Sequence, residues 1–347
     1  MAYTTINKSS LNMNTKLYTG NGNANNAITG VGFQPDWVWI KDRDNVRNHV
    51  LNDAVRGATK NLFSNTDGAE STDTSTLTAF NSDGFTLGNG TKVNGNSINF
   101  ASWNWKAGSS VSGNTSGAGT AKAYSGSVNT GAGFSIIKYV GNGTADHTIP
   151  HRLGVKPKMI ITKNLDSAIT WIVGHDSIGW DHILFLDSTA AKADDANAFN
   201  DIAPTSSVWN VGSGNGNNAN NANYVSYCFS EVKGYSKFGS YVGNGNADGT
   251  FIYTGFKPAF VLTKNISGTN NWTMCDNKRN TFNAVDKVLN PNVSGAEAVN
   301  NPQDFVSNGF KNRATESNTN ASGSTYIYMA FAEAPLVGTN NVAANAR

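Results

Sequence analysis

Two Asp/Arg pairs and five histidines are the residues whose types and spacing could do chemistry. Asp53 stands three residues before Arg56, and Asp276 three before Arg279. A carboxylate beside a guanidinium makes strong, directional hydrogen bonds, so such a pair either pins a loop or receives a charged ligand. Identical spacing at two sites favours the structural role. Of the histidines, His147 and His151 have the i,i+4 spacing of a helical metal pair, but His147-Thr-Ile-Pro-His151 holds Pro150 in a β context, where that spacing loses its meaning. His175-Asp176 and Asp181-His182 are expected in a surface loop. Cys228 and Cys275 lack the near neighbours of a zinc site and read as two free thiols packed as small hydrophobes. There is no Gly-x-Ser-x-Gly elbow, and Tyr-x-Gly-Asn-Gly lacks the Lys-Ser/Thr of a phosphate loop. No carboxylate pair is singled out as a glycosidase pair would be; Asp194-Asp195 lies in an Ala-rich loop. Asn- and Asp-rich loops leave a calcium site open without specifying one. The expectation is no catalytic residue, no metal site and no cofactor.

The elements that would position these residues come from a repeat. Tyr-x-Gly-Asn-Gly occurs at 18–22, 139–143 and 241–245. Its turn positions are Gly20, Asn21 and Gly22; Gly141, Asn142 and Gly143; and Gly243, Asn244 and Gly245. Gly-x-x-Pro follows at 32–35, 154–157 and 255–258, then an apolar pentad ending in Lys41, Lys163 or Lys264. The first and third copies agree further. Lys41 to Asp53 and Lys264 to Asp276 are both 12 residues, Asn65…Glu70 matches Asn292…Glu297, and Phe80-x-x-Asp83-Gly-Phe85 matches Phe305-x-x-Asn308-Gly-Phe310. The second copy has His175 in the Asp slot and Ile178 in the Arg slot. Each copy closes on an aromatic strand: Phe100/Trp103/Trp105, Tyr224/Tyr227/Phe229 and Tyr326/Met329/Phe331.

Asn-Gly tolerates positive φ and predicts a tight hairpin turn. Trp37-Val-Trp-Ile and Phe260-Val-Leu read as strands buried on both faces, and Tyr326–Phe331 as a central strand between two layers. Helical periodicity is short, as near Asp53–Leu62. The fold class expected is all-β: three tandem β-sandwich modules of jelly-roll or concanavalin type with a short C-terminal arm. The expected divisions are 1–15, an N-terminal segment and candidate attachment point; 16–107, module 1; 108–132, a flexible Gly/Ser/Asn-rich linker; 133–234, module 2; 235–335, module 3; and 336–347, the arm. The loose linker and the tight 231–238 junction predict one tethered module followed by a rigid pair.

Composition agrees with turn-rich β structure: 36 Gly, about 50 Asn and only 14% charged residues. A net charge of +2 with no basic block gives no electrostatic footprint for nucleic acid. No apolar run reaches transmembrane length. The N-terminal MAYTTINKSS has no apolar h-region, so cytoplasmic synthesis without export is expected. Amide-rich loops, above all Asn215, Asn217, Asn218, Asn220 and Asn221, form the expected surface-recognition loop.

Tyr18-Thr-Gly-Asn-Gly…Gly32-Phe-Gln-Pro-Asp-Trp-Val-Trp-Ile-Lys41, Gly239-Ser-Tyr-Val-Gly-Asn-Gly…Gly255-Phe-Lys-Pro-Ala-Phe-Val-Leu and Thr325-Tyr-Ile-Tyr-Met-Ala-Phe-Ala-Glu-Ala-Pro335 resemble a repeat of tail fibre and other virion structural proteins of marine tailed bacteriophages. The ending Pro335-Leu-Val-Gly-Thr-Asn…Asn345-Ala-Arg347 is similar to the C-terminus of such proteins. The resemblance implies a virion protein assembled in the host cytoplasm: a tail fibre or receptor-binding protein, a homotrimer in contact with other virion proteins and with a host-surface glycan or protein. The alternatives are a capsid decoration or head fibre and, last, a polysaccharide-degrading tailspike. It carries over no catalytic or binding residue; from charge and hydropathy, no nucleic-acid partner and no membrane insertion are expected.

Overall fold

The computed structural model describes residues 3–340 and 342. Among the described residues the chain is nearly all β, with six antiparallel sheets and only short helical turns such as Thr91–Asn94 and Ala196–Phe199. Each repeat copy supplies two sheets. In the first copy, Met13–Thr19, Asn99–Trp105, Trp37–Asp42, Val50–Asp53, Lys60–Phe63 and Ser71–Thr72 lie side by side in that order. They face a smaller sheet of Asn26–Thr29, Gly84–Leu87 and Leu77–Asn81. In the third copy the order is Ser236–Val242, Thr325–Pro335, Phe256–Asn265, Thr273–Asp276, facing Phe251–Tyr253, Gly309–Asn312, Ala298–Val306 and Val285–Val288.

Strand alternation explains why the larger sheets are apolar on both faces. Val38 and Ile40 point into the first copy's own core, while Trp37 and Trp39 point the other way. Ile160 and Val261 are the corresponding inward residues of the second and third copies; Met159, Ile161, Phe260 and Leu262 point outward. The outward faces do not meet water. They meet each other in one common core that draws on all three copies. At its centre sit the equivalent rings Trp105, Phe229 and Phe331, with Trp105–Phe331 centroids 6.0 Å apart and Phe229–Phe331 centroids 6.1 Å apart. Trp37 stacks on Tyr227 of the second copy at 4.3 Å.

This arrangement corrects the expectation of one tethered module and a rigid pair, because the first copy packs on both others. The linker expected over 108–132 is also corrected. Ser109–Asn114 and Ala123–Asn129 form a hairpin that extends the second copy's larger sheet to eight strands, and Ser116–Gly117 joins its smaller sheet. Gly/Ser composition suggested a coil, but the segment alternates with period 2. Val111, Tyr124 and Val128 pack on the second copy's core, while Ser110, Ser112 and Ser125 face outward. Gly126 is needed there, since a Cβ would lie 2.3 Å from the Ile136 carbonyl oxygen.

Two further expectations change. The N-terminal segment is not separate: Thr4, Ile6 and Ser9 are buried, Ile6 joins the common core, and 13–15 already belong to the first strand. Around Asp53–Leu62 the chain makes a turn and the strand Lys60–Phe63, not a helix. Of the C-terminal arm, residues 341 and 343–347 lie outside the described residues; Val342 accepts a backbone hydrogen bond from Gly338 at 2.9 Å.

Candidate functional site

Asp53 and Asp276 end matching strands, where the turn that follows brings the Arg three residues on back against them. Both sites are built alike. Asp53 Oδ1 accepts from the Arg56 backbone N–H at 2.8 Å, and Asp276 Oδ1 from that of Arg279 at 2.9 Å. The Arg56 Nε–H and Arg279 Nε–H donate to the other carboxylate oxygen. Each guanidinium continues to a strand carbonyl, Leu51 or Met274, and to a glutamate, Glu70 at 3.1 Å or Glu297 at 3.2 Å. All four Asp/Arg side chains are essentially inaccessible. Burial opposes the charge of Arg56, but the Asp53 carboxylate, joined by Glu70, outweighs it and holds its pKa above the ordinary value.

These clusters sit at the junctions between copies. Tyr227 of the second copy donates its hydroxyl to Asp53 Oδ2 of the first at 2.8 Å. Trp103 of the first copy donates its indole N–H to Asp276 Oδ2 of the third at 3.1 Å, under the Arg279 guanidinium. The equivalent of Tyr227 and Trp103 in the third copy is Met329, which has no donor. The slot facing it, in the second copy, is His175. The sequence expectation of a surface loop for His175 is corrected: it is fully buried, because it ends a strand that faces the common core. Its Nδ1 accepts from the Ser177 N–H at 3.1 Å, which leaves Nε2–H to donate to the Tyr328 carbonyl of the third copy at 3.4 Å. Burial pushes its pKa down to about 4.

The ring closes at the backbone too. Glu70 N–H donates to Leu165 O, Lys192 N–H to Ile266 O, and Glu297 N–H to Arg43 O, three equivalent bonds that each join two copies. The repeat lysines Lys163 and Lys264 each reach a carbonyl of the preceding copy, Asp67 at 2.9 Å and Thr189 at 3.0 Å. Burial lowers the pKa of Lys41, Lys163 and Lys264 to about 8. Arg43 and Glu297 add a bidentate bridge between the first and third copies at 2.8 and 2.9 Å.

The Tyr-x-Gly-Asn-Gly positions are structural, and the expected hairpin is corrected. The segment carries the chain from one sheet to the other. Only the last glycine has positive φ: 71° at Gly22, 72° at Gly143 and 65° at Gly245. The first permits close approach, since a Cβ at Gly20, Gly141 or Gly243 would fall 2.3–2.4 Å from a loop carbonyl oxygen. Between them, the N–H of Asn21, Asn142 or Asn244 donates to the side chain of Asn94, Asn218 or Asn320.

That pairing also corrects the expected recognition loop. Asn217 and Asn218 are fully buried, with Asn218 bonded to Thr144 and Gly212 and Asn217 to Ala198. Asn215, Asn220 and Asn221 are exposed, but the Asn215 carbonyl holds Tyr224 and the Asn221 amide oxygen holds Lys122. Buried asparagines appear here because an amide satisfies loop backbone of both polarities at once. His147 and His151 are buried as well, bonded to Ala118, Thr115 and Thr205. Among the described residues, no group of three His, Cys, Asp or Glu side chains is placed to hold a metal.

The concavity that no sequence motif marked is a cleft of about 530 Å³ between the first copy and the added hairpin of the second. Ser110, Ser112, Ser125 and Ser127 line one side; Gln34, Asp36 and Val55 line the other. Asp36 follows the Gly-x-x-Pro motif, at the place where the other copies have Lys158 and Ala259. Its Oδ2 accepts the N–H groups of Ala107 and Gly108, each at 2.8 Å, and so fixes where the chain enters the hairpin. Burial raises the Asp36 pKa, and those two N–H groups oppose the rise.

Over residues 8–335 the chain matches the family described as Domain of unknown function (DUF7483). It belongs to that family. The match spans all three copies. No curated protein and no solved structure matches the chain.

Proposed function

We propose that this protein is a bacteriophage virion structural component, a tail fibre or receptor-binding protein that contacts the host surface. The observation that carries the reading is the closure of three β-sandwich copies around one core, which displays loops and a cleft on one body. The resemblance of its repeat motifs to virion fibre proteins supports the same assignment. The role involves no catalytic step. The proposed partners are other virion proteins, further copies of the chain in a trimer, and a host glycan or protein. Antibody raised against the purified chain tests this directly on virions of the phage that encodes it. Labelling of tail fibres, with purified protein slowing adsorption, is expected. Absence of the chain from purified virions contradicts the reading.

A second reading, a capsid decoration or head fibre, is favoured by one observation. The threefold junctions are made within a single chain, so they need no second chain to complete them. Label confined to the capsid, with no effect on adsorption, would select it.

A further inference from the structure

We infer that the cleft between the first copy and the added hairpin is a binding site for a neutral glycan. The inference deepens the receptor-binding reading and rests on it for the source of the ligand, the host surface. The hairpin is the first observation. Among the described residues, the edge strands Met13–Thr19 and Ser236–Val242 of the larger sheets of the first and third copies have no further neighbour in the sheet, whereas in the second copy the equivalent strand Phe134–Val140 is covered by two additional strands. Those strands are not needed to complete a module, and loops and insertions placed on a rigid scaffold are where binding groups concentrate.

The geometry of the wall is the second. Ser110 pairs with Ser127 and Ser112 with Ser125 across the hairpin. Cross-strand and along-strand spacings therefore set four hydroxyls at the corners of a rectangle of about 5 by 7 Å, the scale of a pyranose ring with its substituents. None of the four hydroxyls hydrogen-bonds within the chain among the described residues. Each can both donate and accept, as a sugar hydroxyl does. Val55 and Ala54 give the opposite side an apolar patch for a sugar's C–H face. The wall is fixed in advance. Asp36 holds the hairpin's start, and Asn129 at its end bonds to Lys106 and Asn12 at 3.3 and 3.2 Å.

Charge selects the ligand class. No Lys or Arg lines the cleft, so an anionic sugar or a phosphate has no partner. The one carboxylate, Asp36, already accepts two backbone N–H groups and is a poor cation site. A volume of about 530 Å³ lies within the range of small-ligand clefts.

The test uses the full chain and a fixed probe set: oligosaccharides of glucan, mannan, galactan and N-acetylglucosamine, with alginate and sulfated oligosaccharides as anionic comparisons. Titration calorimetry and saturation-transfer NMR read binding. At least one neutral probe is expected to bind with Kd at or below about 1 mM. Ser112→Trp and Ser125→Trp, which fill the cleft from exposed positions, are each expected to weaken it tenfold or more with unchanged thermal unfolding. Ser307→Trp, exposed in a turn of the third copy, should leave it unchanged. No binding of any neutral probe overturns the inference, as does preference for the anionic set or binding that survives both cleft variants. Cell binding that is indifferent to the cleft variants removes the glycan site and leaves the receptor reading standing. Oligosaccharide binding lost in those variants, by a chain absent from virions, does the reverse.

Discussion

Two junctions of the ring are charged and one is neutral. Where the first copy meets the second, and the third meets the first, an Asp/Arg/Glu cluster is capped by a donor from the neighbour, Tyr227 or Trp103. Where the second meets the third, the neighbour offers Met329, and the slot holds His175 with Ile178 in place of the arginine. A buried carboxylate needs both a cation and donors. Beside a thioether, a carboxylate in this slot would lack the donor that the neighbour supplies at the other two junctions, whereas a neutral imidazole donates to the Tyr328 carbonyl instead. The slot residue is thus set by the neighbouring copy, not by its own.

The largest effect that sharpens this comparison is expected from Asp276→Ala. It leaves the Arg279 guanidinium buried beside Trp103 with only Glu297 to balance it, and chemical denaturation should show a loss of about 3–5 kcal/mol. Pairing it with Arg279→Met should recover much of that loss. Next, His175→Asp would install a carboxylate without its arginine or its donor, while the nearby Lys158 is held by Asp176 at 2.6 Å. A loss of about 3 kcal/mol at neutral pH is expected. A mild effect would break the argument that the neighbour dictates the slot.

The neutral junction should also be acid-sensitive, through His175. His175 is neutral in the folded protein down to about pH 4, whereas the unfolded chain takes up its proton near pH 6.5. Its contribution is therefore constant above pH 6.5 and is lost as pH falls from there toward 4, by up to about 3 kcal/mol. Burial lowers the pKa of His49, His147 and His151 as well, so the wild-type profile sums several groups. Subtracting the urea-midpoint profile of His175→Gln isolates the contribution of His175; parallel profiles would remove it from the account. The smallest effects are expected from the capping side chains alone. Tyr227→Phe should cost about 1–2 kcal/mol by leaving Asp53 short of a donor. Met329→Leu, which removes no hydrogen bond, should cost less than about 1.5 kcal/mol.

The repeat and its all-β character are legible in the sequence because glycine, proline and aromatic spacing are local constraints. Trp37–Ile40 even shows apolar residues on both faces, though nothing local says that the second face is covered by other copies. The ring itself is long-range packing and leaves only one trace: the slot residues Asp53, His175 and Asp276 vary together with Tyr227, Met329 and Trp103 of the neighbouring copies. The hairpin over 109–129 was hidden because small residues dominate it, although Val111, Tyr124 and Val128 keep strand alternation. Asn217 and Asn218 look like surface amides by composition, yet they are buried because loop backbone needs partners of both polarities. The serine cleft had no motif to find, since its two sides lie in different copies.

The central claim is that three copies fold as one body around a shared core, and calorimetric unfolding of the intact chain tests it most directly. A single transition whose calorimetric and van't Hoff enthalpies agree is predicted. Separate transitions, or a calorimetric enthalpy two to three times the van't Hoff value, would mean that the copies melt independently, and would contradict it.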